Sequence, residues 1–192
     1  MGAAAIAAIW CTVAGQVTGA PGTPSATLTP ICDVPARSQA GIAALLAESG
    51  VATPAATTDG QTLPEGIPAD PELAGAMEDV VRLWLACQNA GEPLRAWSLF
   101  SDGYLYRLLS RQGGMPADVY RALATPTPAG NKSSELLEID GQRVLPDGRL
   151  GATVTVAYAS VPTPKTFFFY FTEADGRLLI DGILGEISFS VP

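Results

Sequence analysis

The feature that most constrains the fold is a change in hydrophobic spacing near residue 135. Before it, apolar residues recur at three- and four-residue intervals, the period of an amphipathic helix. After it, apolar residues alternate with polar ones in steps of two, which is typical of strands. Because the helices come first and the strands follow, the order predicts an α+β fold with an antiparallel sheet of about four strands.

The helical half is organised around residues 70–91. Asp70, Pro71 and Glu72 have the chemistry of a helix start, and Gly91 supplies the end. The helix between them carries an apolar stripe that must be covered, and we expect the β-rich half to cover it. Shorter helical segments are predicted to begin near residues 93, 102 and 116.

The β half contains one segment that is apolar on both faces. Residues 166–172 (TFFFYFT) predict a central strand that packs against helices on one side. Residues 150–161 alternate before it and follow a turn at residues 146–148. A second turn at residues 173–176 leads into the last strands.

Two regions precede this domain, which we place at residues 70–192. Residues 1–20 carry no charge, and their apolar run is as long as the core of a secretory signal. We interpret them as a signal peptide cleaved after Gly15 or Gly19, or alternatively as an uncleaved N-terminal membrane anchor. Residues 21–69 form a linker with one short helix. Both interpretations place the domain outside the cytoplasm, either secreted or at the cell surface.

The charge balance and the lack of histidine exclude several function classes. Lys and Arg number 11 against 19 Asp and Glu, a net charge of −8, which argues against nucleic acid as a partner. Membrane contact is expected only through the N-terminal segment, if that segment is uncleaved. Without histidine, Ser-His and Cys-His nucleophiles are impossible and the commonest zinc ligand is missing. The sequence offers no metal-ligand cluster and no Gly-rich phosphate loop, so no metal or cofactor is expected.

Three short segments resemble one known superfamily. Residues 86–92 (ACQNAGE) and 98–104 (SLFSDGY) are similar to its helix-end turn and the short helix that follows, and residues 175–182 (DGRLLIDG) to its terminal hairpin. This is the nuclear transport factor 2-like superfamily, which includes SnoaL-like cyclases and ketosteroid isomerases. The resemblance implies a cone-shaped, cystatin-like α+β roll with a cavity between the helices and the sheet.

The cysteines add a narrower resemblance. Residues 32–37 (CDVPAR) and Cys87 resemble a group of uncharacterised exported bacterial proteins, in which a Cys-x-x-x-Pro-Arg-like segment precedes the domain and a second Cys lies in its first helix. If export removes Cys11, an even number of cysteines remains in an oxidising compartment. We therefore expect a Cys32–Cys87 disulfide. The alternative is two free thiols, with Cys87 buried in the helix stripe.

The superfamily's cavity implies a candidate ligand-binding set, and most of its members are aromatic. A plain hydrophobic core explains the same residues. Hydroxyl groups of the tyrosines are the groups that would orient a ligand, because a buried phenol needs a partner. The expected lining is Trp84, Trp97, Phe100, Tyr104, Tyr158, Phe168 and Tyr170, with Leu108 and Leu184 beside them.

Without histidine, catalysis would have to rest on Asp, Glu, Tyr or Lys. Asp102, Asp181 and Glu186 are the candidate acids or bases, with Tyr104 or Tyr158 as a hydrogen-bond donor. Simpler structural roles suffice for two of them, because Asp102 begins a helix and Asp181 stands beside a glycine at an expected strand end.

The sequence therefore favours an exported, non-enzymatic domain that binds a small apolar molecule or a protein partner. One alternative is a proton-transfer enzyme of the isomerase or cyclase type that uses Asp102 with a tyrosine. Another is a homodimer formed through the open face of the sheet, for which residues 150–161 would supply apolar side chains on both faces.

Overall fold

The helices of the chain precede most of its strands, as the spacing predicts. The computed structural model describes residues 31–47, 63–111, 113–127, 130 and 133–185. A 3₁₀ turn, Trp97–Leu99, connects the third helix to the fourth. Within these residues the helices are α1 (Gln39–Ala47), α2 (Pro71–Ala90), α3 (Pro93–Ala96), α4 (Asp102–Arg111) and α5 (Ala117–Leu123).

One open antiparallel sheet completes the structure, so the α+β prediction is confirmed. The described strands lie in the order β1-β2-β3-β4-β5, and the sheet does not close on itself. The short β1 was not predicted, because it lies in the segment interpreted as a linker. The strands are β1 (Ile67–Pro68), β2 (Ser134–Val144), β3 (Leu150–Tyr158), β4 (Lys165–Ala174) and β5 (Arg177–Leu184).

α2 begins and ends where its capping residues predict. The Asp70 side chain accepts a hydrogen bond from the Leu73 N–H at 2.9 Å, and Gly91 ends the helix with a left-handed φ of 69°. Its buried stripe lies against the sheet, where the ring centroids of Trp84 and Phe169 are 5.7 Å apart. α2 therefore supplies much of the cover for one face of the sheet.

β4 is the predicted central strand, flanked by β3 and β5. Because successive side chains of a strand point to opposite faces, its aromatic residues divide into two sets. Phe167, Phe169 and Phe171 join the main core beneath the helices. Phe168 and Tyr170 form a second buried cluster with Leu145 on the opposite face.

β5 follows a tight hairpin turn and is the last of the described strands in the sheet. Asp175 and Gly176 have φ values of 53° and 67°, which is the type I′ geometry that an Asp-Gly pair favours. Beyond the turn, the Ile180 carbonyl accepts a hydrogen bond from the Ser101 N–H at 2.9 Å, and Phe100 forms a parallel bridge with Ile180. The start of α4 is thereby joined to the edge of the sheet.

Several predictions lie outside the described residues. They are the signal or anchor segment with its cleavage sites at Gly15 and Gly19, the fate of Cys11, most of the linker, and Glu186. Within the described ranges, no helix has both the length and the apolarity needed to cross a membrane.

Candidate functional site

A disulfide fastens residues 31–38, which we call the arm, to α2. The Sγ atoms of Cys32 and Cys87 are 2.10 Å apart and their Cα atoms 4.7 Å apart, so the predicted pairing is confirmed. Cys87 lies buried in the stripe of α2 that faces the core. Such a bond is compatible with an oxidising, extracytoplasmic compartment.

Two hydrogen bonds that involve the backbone of the arm attach it further along its length. The Arg95 guanidinium donates a hydrogen bond to the Val34 carbonyl at 2.8 Å. The Arg37 N–H donates to the Leu94 carbonyl at 3.0 Å. The arm is therefore held to the α3 segment as well as to α2.

The Arg37 side chain carries the arm across to α4. Its Nη2 donates to the Phe100 carbonyl at 2.8 Å, and its Nη1 lies 2.6 Å from the Asp102 carboxylate. The Tyr120 hydroxyl donates to the Arg37 carbonyl at 3.1 Å. Arg37 thus ties the arm to the first turn of α4. The resemblance described above includes Arg37 in its segment, residues 32–37, but implies no role for it.

A cleft of about 470 Å³ opens where the arm, the start of α4 and the β4–β5 turn meet. We call it the arm cleft. Its volume is within the usual range of binding pockets, about 300–1,000 Å³. Its lining comprises Pro35, Ala36, Arg37, Ser38, Gly41, Ser98, Ser101, Asp102, Ala174, Asp175, Arg177 and Leu179.

Asp102, a predicted acid or base, lines this cleft. Its side chain is 62% exposed and paired with Arg37. A carboxylate that moves protons near neutral pH usually needs apolar surroundings, and Asp102 lies instead in water beside a cation. Its position suits an ion pair that fixes the arm.

Tyr104, its proposed catalytic companion, is half-buried on another side of α4. Its ring centroid is 5.0 Å from that of Phe100, and burial raises the pKa of the phenol to about 12. Residues two positions apart on a helix do not face each other, so Asp102 and Tyr104 point in different directions. Tyr104 does not line the arm cleft.

Asp181 is buried inside β5, so the strand-end turn expected for it is wrong. The ladder pairs Phe171 with Ile180 and Tyr170 with Gly182, which leaves Asp181 as the extra residue of a bulge. Its side chain is only 3% exposed. The bulge turns a carboxylate into the interior, where it needs charged or hydrogen-bonding partners.

Ser101 and Arg149 provide these partners. The Ser101 hydroxyl donates to Asp181 Oδ1 at 2.6 Å while it accepts a hydrogen bond from the Tyr104 N–H at 3.0 Å, as an N-cap does. Arg149 Nη1 lies 3.3 Å from Asp181 Oδ2. Every polar atom of this cluster therefore has a structural use.

Arg149 is the residue that sequence reasoning missed. Arg149 directly follows the turn predicted at residues 146–148, and it pairs with Asp147 at 2.7 Å and lies 4.5 Å from the centroid of the Tyr170 ring. Burial opposes its charge, but the carboxylates of Asp147 and Asp181 raise the pKa of the Arg149 guanidinium above its ordinary value. The Asp147-Gly148-Arg149 sequence signals the turn and contains no signal for the distant carboxylate.

The seven aromatic residues expected to line one cavity lie on two faces of the sheet. Trp84, Trp97 and Phe100 are buried in the main core, and Tyr104 and Tyr158 pack at its margin. Burial raises the pKa of Tyr158. The other two, Phe168 and Tyr170, belong to the cluster on the opposite face. The structure therefore does not bring the seven together.

One polar group of the core has no partner. The indole N–H of Trp84 is buried and makes no hydrogen bond to any described residue. Leaving such a donor unpaired costs about 1–3 kcal/mol. Trp84 is therefore a member of the aromatic set whose buried hydrogen-bond donor lacks an acceptor within the described ranges.

No group of three or more His, Cys, Asp or Glu residues within the described ranges is arranged to hold a metal ion. Comparisons of the chain with protein-family models, with curated proteins and with solved structures found no match.

Proposed function

We propose that the chain is an extracytoplasmic, non-enzymatic domain that holds a protein partner in the arm cleft. The observation that carries this proposal is the convergence of the arm, the start of α4 and the β4–β5 turn on one open cleft. Each wall is fixed by its own contacts: the Cys32–Cys87 bond, the Arg37 contacts and the hairpin. Fixed walls favour binding because little conformational freedom is lost when a partner arrives.

The engagement of the nearby polar groups supports a non-enzymatic role. Asp102 is paired with Arg37, and the Ser101 hydroxyl both donates and accepts a hydrogen bond. Asp181 is occupied by Ser101 and Arg149. Chemistry at the cleft would have to break one of these contacts first.

For the fold, we infer the cone-shaped roll of the nuclear transport factor 2-like superfamily. Support comes from the order of helices and antiparallel strands and from the register shifts in the β2–β3 and β4–β5 ladders, because bulges bend strands. A crystal structure with the sheet wrapped around α2 would support this assignment, and a flat sheet would contradict it.

Photo-cross-linking in the producing cell tests the use of the cleft. A photoreactive phenylalanine analogue replaces Ala174, an exposed residue of the cleft lining, and in a control chain it replaces Glu72, an exposed residue of the first turn of α2. We expect a protein adduct of defined mass from position 174 only. Equal adducts from both positions, or none from position 174, contradict the proposal.

A second candidate function, a small-molecule binder, is favoured by the unpaired Trp84 N–H. A mostly apolar molecule with one hydrogen-bond acceptor would satisfy that donor. Native mass spectrometry of the unreduced protein from the exported fraction tests it. A retained adduct that disappears in Trp84→Phe, and persists in Trp97→Phe, supports this function, whereas an adduct-free chain contradicts it.

A further inference from the structure

The outer edge of β5 faces away from the rest of the sheet. Its type I′ turn makes Ala174 and Arg177 a hydrogen-bonded pair, and hydrogen-bonding direction alternates along a strand. Leu178 and Ile180 therefore direct their N–H and C=O groups away from β4. These are the groups that an additional strand would use.

Part of this edge is already occupied by the chain itself. Ile180 accepts its hydrogen bond from Ser101 and forms a parallel bridge with Phe100, so residues 100–101 act as the beginning of a sixth strand. The next outward position is Leu178, two residues closer to the turn. Hydrogen bonds among the described residues include none to its outward backbone groups.

The opposite end of the sheet shows how this protein protects an edge. On β2, the Asn89 side chain accepts a hydrogen bond from the Ser134 N–H at 2.8 Å and donates one to the Ser134 carbonyl at 2.7 Å. An amide side chain thereby occupies both groups that another strand would use, a common defence of edge strands. β5 has no such clamp at Leu178, and Arg177 and Leu179 on either side of it line the arm cleft.

The charged side chains of the cleft indicate which chemical group a partner would place there. Arg37 is committed to Asp102 and to the Phe100 carbonyl. Arg177 is exposed and forms no ion pair with any described residue. Asp175, the other exposed lining charge with no such ion pair, lies within the hairpin turn itself. A carboxylate on the partner is the group that Arg177 would hold.

We propose that the arm cleft binds an extended peptide segment of a partner protein, which adds to β5 at Leu178 and places an acidic side chain at Arg177. This inference rests on the proposed function of the cleft and names its partner. Main-chain hydrogen bonds supply affinity in strand addition, and alternate side chains supply specificity. Arg177, Leu178 and Leu179 together offer about 10 Å of edge, at about 3.3 Å per residue.

The test uses the oxidised, full-length chain and a displayed library of random 12-residue peptides. We expect selected peptides to carry an Asp or Glu, and we expect N-methylation of their backbone to weaken binding at one position only, the residue whose N–H would meet the Leu178 carbonyl, by about tenfold, the equivalent of about one hydrogen bond. Hydrogen exchange of the Leu178 amide should slow when such a peptide is bound. Changing the peptide rather than the protein leaves folding untouched.

Charge variants provide the matched control. Arg177→Glu should weaken the selected peptides by about tenfold, Arg177→Lys should retain most affinity, and Arg121→Glu, outside the cleft lining, should leave it unchanged. These outcomes, together with sensitivity to N-methylation at a single peptide position, support strand addition.

Two results overturn the inference and separate it from the proposed function. If selected peptides lose binding to an Ala36→Trp chain with a blocked cleft, yet N-methylation at no single peptide position weakens binding and Leu178 exchange is unchanged, strand addition is wrong and cleft binding stands. If selection yields no peptide that distinguishes the native chain from Ala36→Trp, both are wrong.

Discussion

The two faces of β4 bury similar aromatic rings under different covers. Phe169 is fully buried beneath α2, with the Trp84 ring against it. Phe168 and Tyr170 on the other face are only 2% exposed, yet the groups above them are guanidinium groups. Arg143 lies 5.8 Å from the Phe168 centroid and Arg149 lies 4.5 Å from that of Tyr170.

This difference shows that a second layer of helix is not required to remove a ring from water. Arginine stems cover apolar surface while their charged ends reach polar partners, and the guanidinium plane is attracted to the ring face. The cost is a dependence on charge, because Arg149 is held in place by Asp147 and Asp181. The helix-covered face depends on packing volume. On the other face, the cover of Tyr170 depends on the ion pairs of Arg149, and the cover of Phe168 depends on Arg143, which donates hydrogen bonds to the Gly141 and Pro64 carbonyls.

The strongest test of this comparison removes one ring from each face. Phe169→Ala should lower the free energy of unfolding by about 3–5 kcal/mol, because the surrounding helices cannot collapse into the cavity. Phe168→Ala should cost less, since flexible arginine stems can move into the space. Urea unfolding of both oxidised variants measures the difference, and equal losses would mean that the arginine cover packs as firmly as a helix.

Glycine substitutions under the arginine-covered rings give a smaller effect. A Cβ added at Gly151 would lie 2.5 Å from Phe168 Cζ, so Gly151→Ala should displace the ring and cost about 1–3 kcal/mol. Gly182→Ala is the matched control, because its Cβ would lie 3.3 Å from the nearest Tyr170 atom. Thermal unfolding of the pair tests the prediction, which is wrong if Gly182→Ala is the more damaging change.

The melting temperature measured against pH distinguishes the arginine cover from the helix cover, because the arginine cover contains an ion pair that titrates. The hydrogen bond from Arg149 lowers the pKa of Asp147 below its ordinary value of 3.8. Stability from this pair is therefore fully present above that value and is lost as pH falls through the lower folded-state pKa. Arg149→Met should reduce the acid-side fall of the melting temperature, whereas Phe169→Leu should leave its shape unchanged. An identical acid limb in Arg149→Met would contradict this role.

The smallest expected effect is on assembly. The rings of Phe168 and Tyr170, in the second buried cluster, are already covered within one chain. We therefore expect sedimentation at micromolar concentration to give the mass of a single chain. A mass near twice that value would restore the homodimer hypothesis. A dimer that dissociates in Phe168→Ala would place its interface on the arginine-covered face.

Local chemistry explains what the sequence could predict. The bounds of α2 follow from Asp70 and Gly91, whose capping roles need only neighbouring residues. The β4–β5 turn follows from Asp175 and Gly176 in the same way. The disulfide was predictable because few cysteines were available, and its choice was supported by the resemblance around Cys32.

Long-range placement explains what the sequence could not predict. A segment apolar on both faces gives no sign of which face meets the helices, so Phe168 and Tyr170 were assigned to the wrong side. The bulge that turns Asp181 inward arises from strand pairing, and its contact with Arg149 joins residues 32 positions apart. The arm cleft combines segments whose proximity only the folded chain creates.

The disulfide also determines how the domain would bear mechanical load. Tension transmitted along the chain from residues ahead of Cys32 passes directly through the Cys32–Cys87 bond into the end of α2. The chain between the two cysteines, which are 55 positions apart, then becomes a bypassed loop that contains the rest of the arm, α1, β1 and most of α2. The arm side of the cleft would therefore keep its shape under a pull that unfolds an unlinked chain from its N-terminal end.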